Sequence, residues 1–370
     1  MSLISGSPEP GRLAAFGWSP AVASAFEPFR ADDLELARVA VAFGATFRVI
    51  AHDGEMLADL TGRLRHQAAG RRDLPAVGDW IALKRSTSEG GRGSIQAVLP
   101  RQSVFSRKVA GETTTEQIVA ANVDVAFLMM SLDHDFNPRR IERYLAMTWQ
   151  SGARPVILLN KADVAEALDD KVQEIAGSAT GVPVHVISAR DGRGMEALSP
   201  YLTAGQTIAV LGSSGVGKST LINWLLGEDR LRTQEVRASD SRGRHTTTHR
   251  ELVPLAGGAV LVDTPGMREL QLWSADSGVE EAFDDIAALA AGCFFANCGH
   301  ATEPRCAVKA AVADGRLSPE RLENYHKLGR EQDMLAARQD GLAEQLAKKK
   351  LRAQFRAIRK QSQSRPKDRP

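Results

Sequence analysis

The chain has 370 residues, 47 Lys and Arg against 45 Asp and Glu, a net charge of +2, and 43% hydrophobic residues. That length holds two or three domains, and that composition excludes a low-complexity or collagen-like chain. No apolar run reaches the roughly 18 residues of a membrane span, and no basic start leads into an apolar core, so a cytoplasmic protein without membrane contact is expected.

Charge is unevenly spread. From Lys348 to Pro370 there are ten Lys or Arg and one acid, a balance of +9 that leaves −7 on the rest of the chain. A basic tail on a mildly acidic body suggests an anionic partner. All three cysteines fall in one short window, which points to metal ligation rather than disulfides.

Residues 1–40 read as an N-terminal extension rich in Gly, Pro, Ser and Ala, with a helix around Asp32 to Val39. Residues 41–108 change to short strands separated by turns. Phe47-Arg48-Val49-Ile50 runs into Asp53-Gly54, a hairpin signal, and strands follow at Trp80 to Leu83 and Ser94 to Leu99. The pattern predicts a small β-barrel. Its eleven Lys or Arg against six acids fit either an RNA-backbone surface or an ordinary solvated one.

Residues 109–275 alternate strands with helices, predicting an α/β unit with a mostly parallel sheet. A buried strand is expected over Asn122 to Met130 and a helix from Pro138 to about Gln150. After the strand Pro155 to Leu159 comes Asn160-Lys161-Ala162-Asp163; after the strand Val184 to Ile187 comes Ser188-Ala189-Arg190. An Asp carboxylate can accept two hydrogen bonds from the N1 and N2 edge of guanine, and adenine offers no such pair. Asn160 can brace the loop, Lys161 can lie along the base, and the Ser188 and Ala189 backbone can reach the guanine O6. Further helices are expected over Val164 to Ala176 and Gly194 to Leu202.

The strand Thr207 to Leu211 then enters Gly212-Ser213-Ser214-Gly215-Val216-Gly217-Lys218-Ser219-Thr220, followed by the apolar helix Leu221 to Leu226. Strand, glycine loop and helix in this order form a phosphate cradle: glycines let backbone N–H groups turn inward, Lys218 reaches the β- and γ-phosphates, and Ser219 offers a hydroxyl to Mg²⁺. Downstream, Ala259 to Val262 leads into Asp263-Thr264-Pro265-Gly266. Asp263 can hold Mg²⁺ through water, and the Gly266 N–H can meet the γ-phosphate. Thr246, Thr247 and Thr248 are candidates for completing the metal shell; the sequence does not choose among them, and Thr247 stands for the three. Guanine-reading motifs placed ahead of the phosphate loop reverse the usual GTPase order and describe a circular permutation. Met267 follows Gly266, where many GTPases place the glutamine that orients the attacking water, and Met cannot do that. His245 is a candidate catalytic group in its stead, or a loop residue facing solvent or RNA.

Residues 276–347 carry Cys293, Cys298, His300 and Cys306, a C-x₄-C-x-H-x₅-C set that makes one closed, structural Zn²⁺ site. This short segment is expected to lack a core of its own and to depend on the metal. Ser318-Pro319 starts a helix, and residues 348–370 form the basic tail, either an RNA contact or a solubilising extension.

These motifs, in this permuted order and with these flanking modules, resemble the RsgA (YjeQ) family of circularly permuted GTPases of bacterial ribosome biogenesis. The P-x-V-G-D-W stretch from Pro75 to Trp80 is similar to the family's, as are the histidine at 245 and the zinc spacing. The resemblance implies an OB-type barrel, a permuted P-loop GTPase domain and a C-terminal zinc module with helices. It further implies GTP hydrolysis to GDP and phosphate with Mg²⁺, one structural Zn²⁺, and a monomer that binds rRNA of the small ribosomal subunit during late maturation, with ribosome-stimulated turnover. Met267 keeps open a GTP-dependent RNA-binding module or translation regulator with negligible intrinsic hydrolysis.

Overall fold

The computed structural model describes residues 11–68, 70–86, 91–108, 116–227, 250–263, 278–334 and 337. The N-terminal segment is more ordered than its composition suggests. A 3₁₀ turn over Gly11–Phe16 and helix α1 (Pro20–Phe26) bury Leu13, Phe16, Val22 and Phe26. Ser19 caps α1 and Pro20 opens it. The helix expected over Asp32 to Val39 is instead strand β1 (Glu35–Phe43). Ala37, Arg38, Val39, Ala40 and Val41 are buried in succession, so β1 has both faces covered, and a strand covered on both faces shows no alternation to read.

β1 continues into β2 (Thr46–Ile50), β3 (Glu55–Leu60), helix α2 (Gly62–Gln67), β4 (Trp80–Lys84) and β5 (Gly93–Val98). The strands pair in the order β1-β2-β3-β5-β4, and β4 returns to β1, closing the five-stranded barrel. β3 and β5 run parallel; the other pairs are antiparallel. Val39, Phe47, Val49, Ala58, Ile81, Leu83 and Ile95 fill the interior.

A hairpin of β6 (Val104–Lys108) and β7 (Glu116–Ala121) leads into the second unit. Its elements are β8 (Val125–Ser131), α3 (Pro138–Ser151), β9 (Arg154–Asn160), α4 (Leu168–Ser178), β10 (Val184–Val186), β11 (Thr207–Gly212), α5 (Lys218–Leu226), β12 (Glu251–Pro254) and β13 (Val260–Asp263). The strand order is β10-β9-β8-β11-β13-β12, parallel except for β12. Along β8 the side chains alternate between two cores. Ala126, Leu128 and Met130 join the α3 side, while Val125, Phe127 and Met129 join the α5 side. The helix expected over Val164 to Ala176 divides into a 3₁₀ turn (Ala162–Val164) and α4, and the one over Gly194 to Leu202 is a 3₁₀ helix (Met195–Tyr201).

The barrel and this sheet are continuous: Val41 of β1 bridges Glu251 of β12. On the other side, α6 (Gly278–Ala282), α7 (Asp284–Ala290), α8 (Ala307–Ala313) and α9, over residues 319–334, form the C-terminal module. Ser318 caps α9 by accepting the Arg321 N–H at 3.1 Å. The module shares its core with the nucleotide domain. Its apolar side chains Phe283, Ile286, Val308, Leu317 and Leu328 belong to the same buried cluster as Ile141 and Leu145 of α3. No helix of the described residues is long and apolar enough to cross a membrane.

Candidate nucleotide-binding site and metal centre

β11 ends at Gly212 and α5 starts at Lys218, so the loop between them crosses the carboxyl edge of the sheet, where open α/β folds place ligands. Two of its glycines are sterically required. A Cβ on Gly212 (φ 155°) would lie 2.7 Å from the Met129 carbonyl oxygen, and one on Gly217 (φ 101°) would lie 2.3 Å from Asn160 Nδ2. Val216 is buried beneath the loop; Ser214 and Gly215 are exposed at its tip. Lys218 Nζ donates to the Gly212 carbonyl at 2.8 Å and to the Ser213 carbonyl, which holds the ammonium over the loop. Ser219 and Thr220 sit half-buried in the first turn of α5, whose leading N–H groups and dipole favour an anion.

Asn160 ends β9 and links both halves of the site. Its Nδ2 donates to the Val216 carbonyl at 2.8 Å, and its Oδ1 accepts from the Ala189 N–H at 2.9 Å. Phosphate loop, N-K-x-D loop and S-A-x loop are thereby fixed to one buried amide. Lys161 adopts φ 67°, and its ammonium meets Asp133 Oδ2 at 2.7 Å. The Ala162 N–H donates to the Ile187 carbonyl. Asp163 is exposed, with Oδ1 accepting from the Ser188 hydroxyl at 2.9 Å. That hydrogen bond orients a carboxylate at the sheet edge, which suits the N1 and N2 donors of guanine.

Two acids that sequence reasoning passed over complete the frame. Burial works against ionisation of Asp133, but Lys161, the Asp135 N–H and the Ser131 hydroxyl override it and hold the carboxyl at about 2. Asp135 accepts from the Ser213 hydroxyl at 2.9 Å and pairs with Arg140 at 2.7 Å, and Arg140 first among its partners keeps it below the usual range. The available signal was their position, directly after the buried parallel strand β8 in Ser131-Leu132-Asp133-His134-Asp135.

Asp263 ends β13, the parallel neighbour of β11, so its half-buried carboxylate lies at the same edge as the phosphate loop. Ser219 and Asp263 are the described residues that could hold Mg²⁺. His245, Thr247 and Gly266 lie outside the described residues, as does Met267. Arg250 donates to the Ile118 carbonyl of β7 at 3.1 Å.

Cys293, Cys298, His300 and Cys306 bring one ligand atom each to within 4.8 Å of one another. Cys293 Sγ lies 3.8 Å from Cys306 Sγ and 3.6 Å from His300 Nδ1, and Cys306 Sγ lies 3.5 Å from that nitrogen. Thiolates about 2.3 Å from a tetrahedral zinc stand roughly 3.8 Å apart, so the donor set fits that ion. Burial lowers His300, which favours the neutral imidazole that a metal requires. Glu303 organises the intervening loop. It accepts from the N–H groups of Gly299, Ala301 and Thr302 at 2.9 to 3.0 Å, and backbone hydrogen bonds hold its carboxyl at about 2.

The profile of the RsgA GTPase family matches residues 98–273. The chain is 48% identical to the small ribosomal subunit biogenesis GTPase RsgA of Opitutus terrae, over 89% of this chain and 92% of that relative. It is 43% identical to the protein of the same name from Syntrophotalea carbinolica, over 92% and 94%. Among solved structures it is similar to YjeQ from Thermotoga maritima, with a TM-score of 0.62 and 27% identity, covering 81% of this chain and 98% of that one. YloQ, described as a circularly permuted GTPase, shares the fold with a TM-score of 0.59 at 22% identity, covering 81% and 95%.

Proposed function

The chain belongs to the RsgA GTPase family, and from that membership we propose that it binds the small ribosomal subunit and assists its late maturation, hydrolysing GTP with turnover stimulated by the ribosome. Relatives that carry the small-subunit biogenesis name match along nearly the whole chain, barrel and zinc module included. The observation that carries the GTP reading is Asn160, whose one amide joins the phosphate loop to the base-reading loop.

In this reading Gly212 to Thr220 wrap the phosphates, with Lys218 neutralising charge that builds on the β- and γ-oxygens. Asp163 reads guanine, Asn160 and Ser188 hold Asp163 and its loop in place, and Lys161 flanks the base. Ser219, Asp263 and a switch threonine, Thr247 in our assignment, would hold a Mg²⁺ ion, which would neutralise charge on the phosphates. His245 orients the attacking water where Met267 cannot, and Gly266 senses the γ-phosphate. The three thiolates and His300 hold one structural Zn²⁺. The protein works in the cytoplasm as a monomer, with domain limits at 41–108, 109–275 and 276–347.

Hydrolysis is measured alone and with purified 30S subunits, 50S subunits and 70S ribosomes. Strong stimulation by 30S, abolished in Lys218→Ala, is the expected result. Equal rates in all four conditions would sink ribosome-triggered turnover and favour a GTP-dependent RNA-binding module.

A further inference from the structure

Apart from buried Arg38 and from Arg72, the described arginines of the barrel separate into two groups. Arg48 pairs with Glu251 and Glu55, Arg85 with Glu35 and Asp53, Arg92 with Asp59, and Arg101 with Asp79. These cations are neutralised within the protein. Arg63, Arg65 and Arg71 are exposed, and among the described residues their side chains have no hydrogen bond or ion pair.

The three lie on one segment. α2 connects β3 to β4, capped by the Thr61 hydroxyl at 3.2 Å from the Leu64 N–H. Leu64 packs against the barrel core, so its neighbours Arg63, Arg65 and His66 are left in solvent. A 3₁₀ turn (Arg71–Asp73) follows. Asp73 is the one acid in this stretch, and it accepts from the Gly70 N–H.

OB-type barrels usually take nucleic acid on the face of their second and third strands. Here that face carries Glu55, Leu57 and Asp59; of its cations, Arg48 is bonded to β12 of the nucleotide domain and Arg92, just ahead of β5, to Asp59. Charge and access both oppose a polyanion there. We propose that RNA docks instead on the α2 segment, with Arg63, Arg65 and Arg71 gripping backbone phosphates. The partner is RNA because three unpaired guanidinium groups, with His66 the one ring among them, match a phosphate backbone. The assignment of that RNA to the small subunit rests on the function proposed above.

The test uses the full chain carrying Arg63→Ala, Arg65→Ala and Arg71→Ala together, against a control carrying Arg85→Ala and Arg92→Ala. Binding to a plain RNA duplex and to purified 30S subunits, with a non-hydrolysable GTP analogue, is measured over a KCl series. Each phosphate that is no longer neutralised lowers the slope of log K against log salt by about 0.9, so the triple variant should drop by about 2 to 3 in slope and bind at least about tenfold more weakly. The control should stay within about twofold, and melting and intrinsic hydrolysis should match wild type in both. An unchanged slope in the triple variant, or an equal weakening in the control, overturns the proposal. Weaker binding to 30S with unchanged duplex binding overturns it too, in favour of a protein partner. Patch-dependent duplex binding without any 30S binding by the wild type would leave the patch standing and remove the ribosomal reading.

Discussion

The barrel and the C-terminal module that carries the cysteine cluster each meet the nucleotide domain through a buried arginine, and the two joints use different chemistry. Arg38 of β1 is fully enclosed. It donates to the carbonyls of Phe16, Gly78 and Asn122 and to the Thr207 hydroxyl of β11, with its guanidinium 4.9 Å from the Trp80 ring. No carboxylate touches it among the described residues, and burial drops it to about 10 against the pull of Asp124 and Asp79. Arg321 of α9 is held by charge. It is bidentate to Asp285 at 2.7 Å and single to Glu142 of α3 at 2.8 Å, and these partners raise it despite burial. The barrel joint is thus an extension of the sheet through the β1 and β12 bridge and the Arg48–Glu251 ion pair, with buried Arg38 beside it held by neutral dipoles. The joint of the C-terminal module is a cluster of charged side chains on a helix face, and a cluster of that kind can be broken one charge at a time.

Metal removal should separate the joints most sharply. The Cys306 side chain lies in the same buried cluster as Val308 and Leu328, so loss of an ion held by the proposed zinc site would free the loop that anchors α8. Chelation, or Cys306→Ser, is expected to unfold residues 278–334 while the barrel stays intact, because apparent binding energies for structural zinc reach about 10 kcal/mol or more. Limited proteolysis reads this as early release of the C-terminal module. Simultaneous digestion of barrel and module would mean that the joints are not independent.

Arg321→Ala comes next. It leaves Glu142 buried with only Asn324 as a donor, and breaking a buried pair costs about 3–5 kcal/mol. Thermal unfolding of the C-terminal module should shift down strongly with nucleotide affinity unchanged. Arg38→Met should cost less, about 2–3 kcal/mol, since it orphans neutral acceptors rather than a charge. Its effect should reach the barrel and the N-terminal segment together, because Phe16 and Gly78 share the arginine. A larger destabilisation in Arg38→Met than in Arg321→Ala would invert the comparison.

How much of this could be read from the chain depends on whether the interaction is local. The phosphate loop, N-K-x-D, S-A-x and the cysteine set are short-range patterns whose spacing is itself the chemistry, and the structure brings their described members together. Neither joint has that property. Arg38 and Thr207 are 169 positions apart and Glu142 and Arg321 are 179 apart, so no window contains both partners. The strand at β1, where the sequence pattern suggests a helix, has the same explanation. Its continuous burial comes from the barrel on one side and the N-terminal segment and nucleotide domain on the other, and none of those neighbours is visible in Glu35 to Phe43 itself.

The smallest expected effect is also the most specific to the charged joint. Burial pushes the Glu142 carboxyl above its ordinary value of 4.5, even with Asn324 and Arg321 beside it, because Arg321 gives its bidentate face to Asp285. The native state then keeps a proton on Glu142 at a pH where the unfolded chain has lost it. By linkage, stability from this group falls as pH rises from 4.5 through the native value. Glu142→Gln removes that titration and keeps an oxygen for Arg321. Asp79 and Asp124, raised by burial at the barrel joint, contribute slopes of the same sign and stay in both proteins. The difference between wild type and variant therefore isolates Glu142. Relative to its own value at pH 4.5, the variant should lose less stability by pH 7, by a few tenths to about 1 kcal/mol, since one pKa unit corresponds to about 1.4 kcal/mol. Parallel melting curves across that range would show that Glu142 titrates in the native state as it does in the unfolded chain. The charged joint would then be an ordinary salt bridge with no pH dependence of its own.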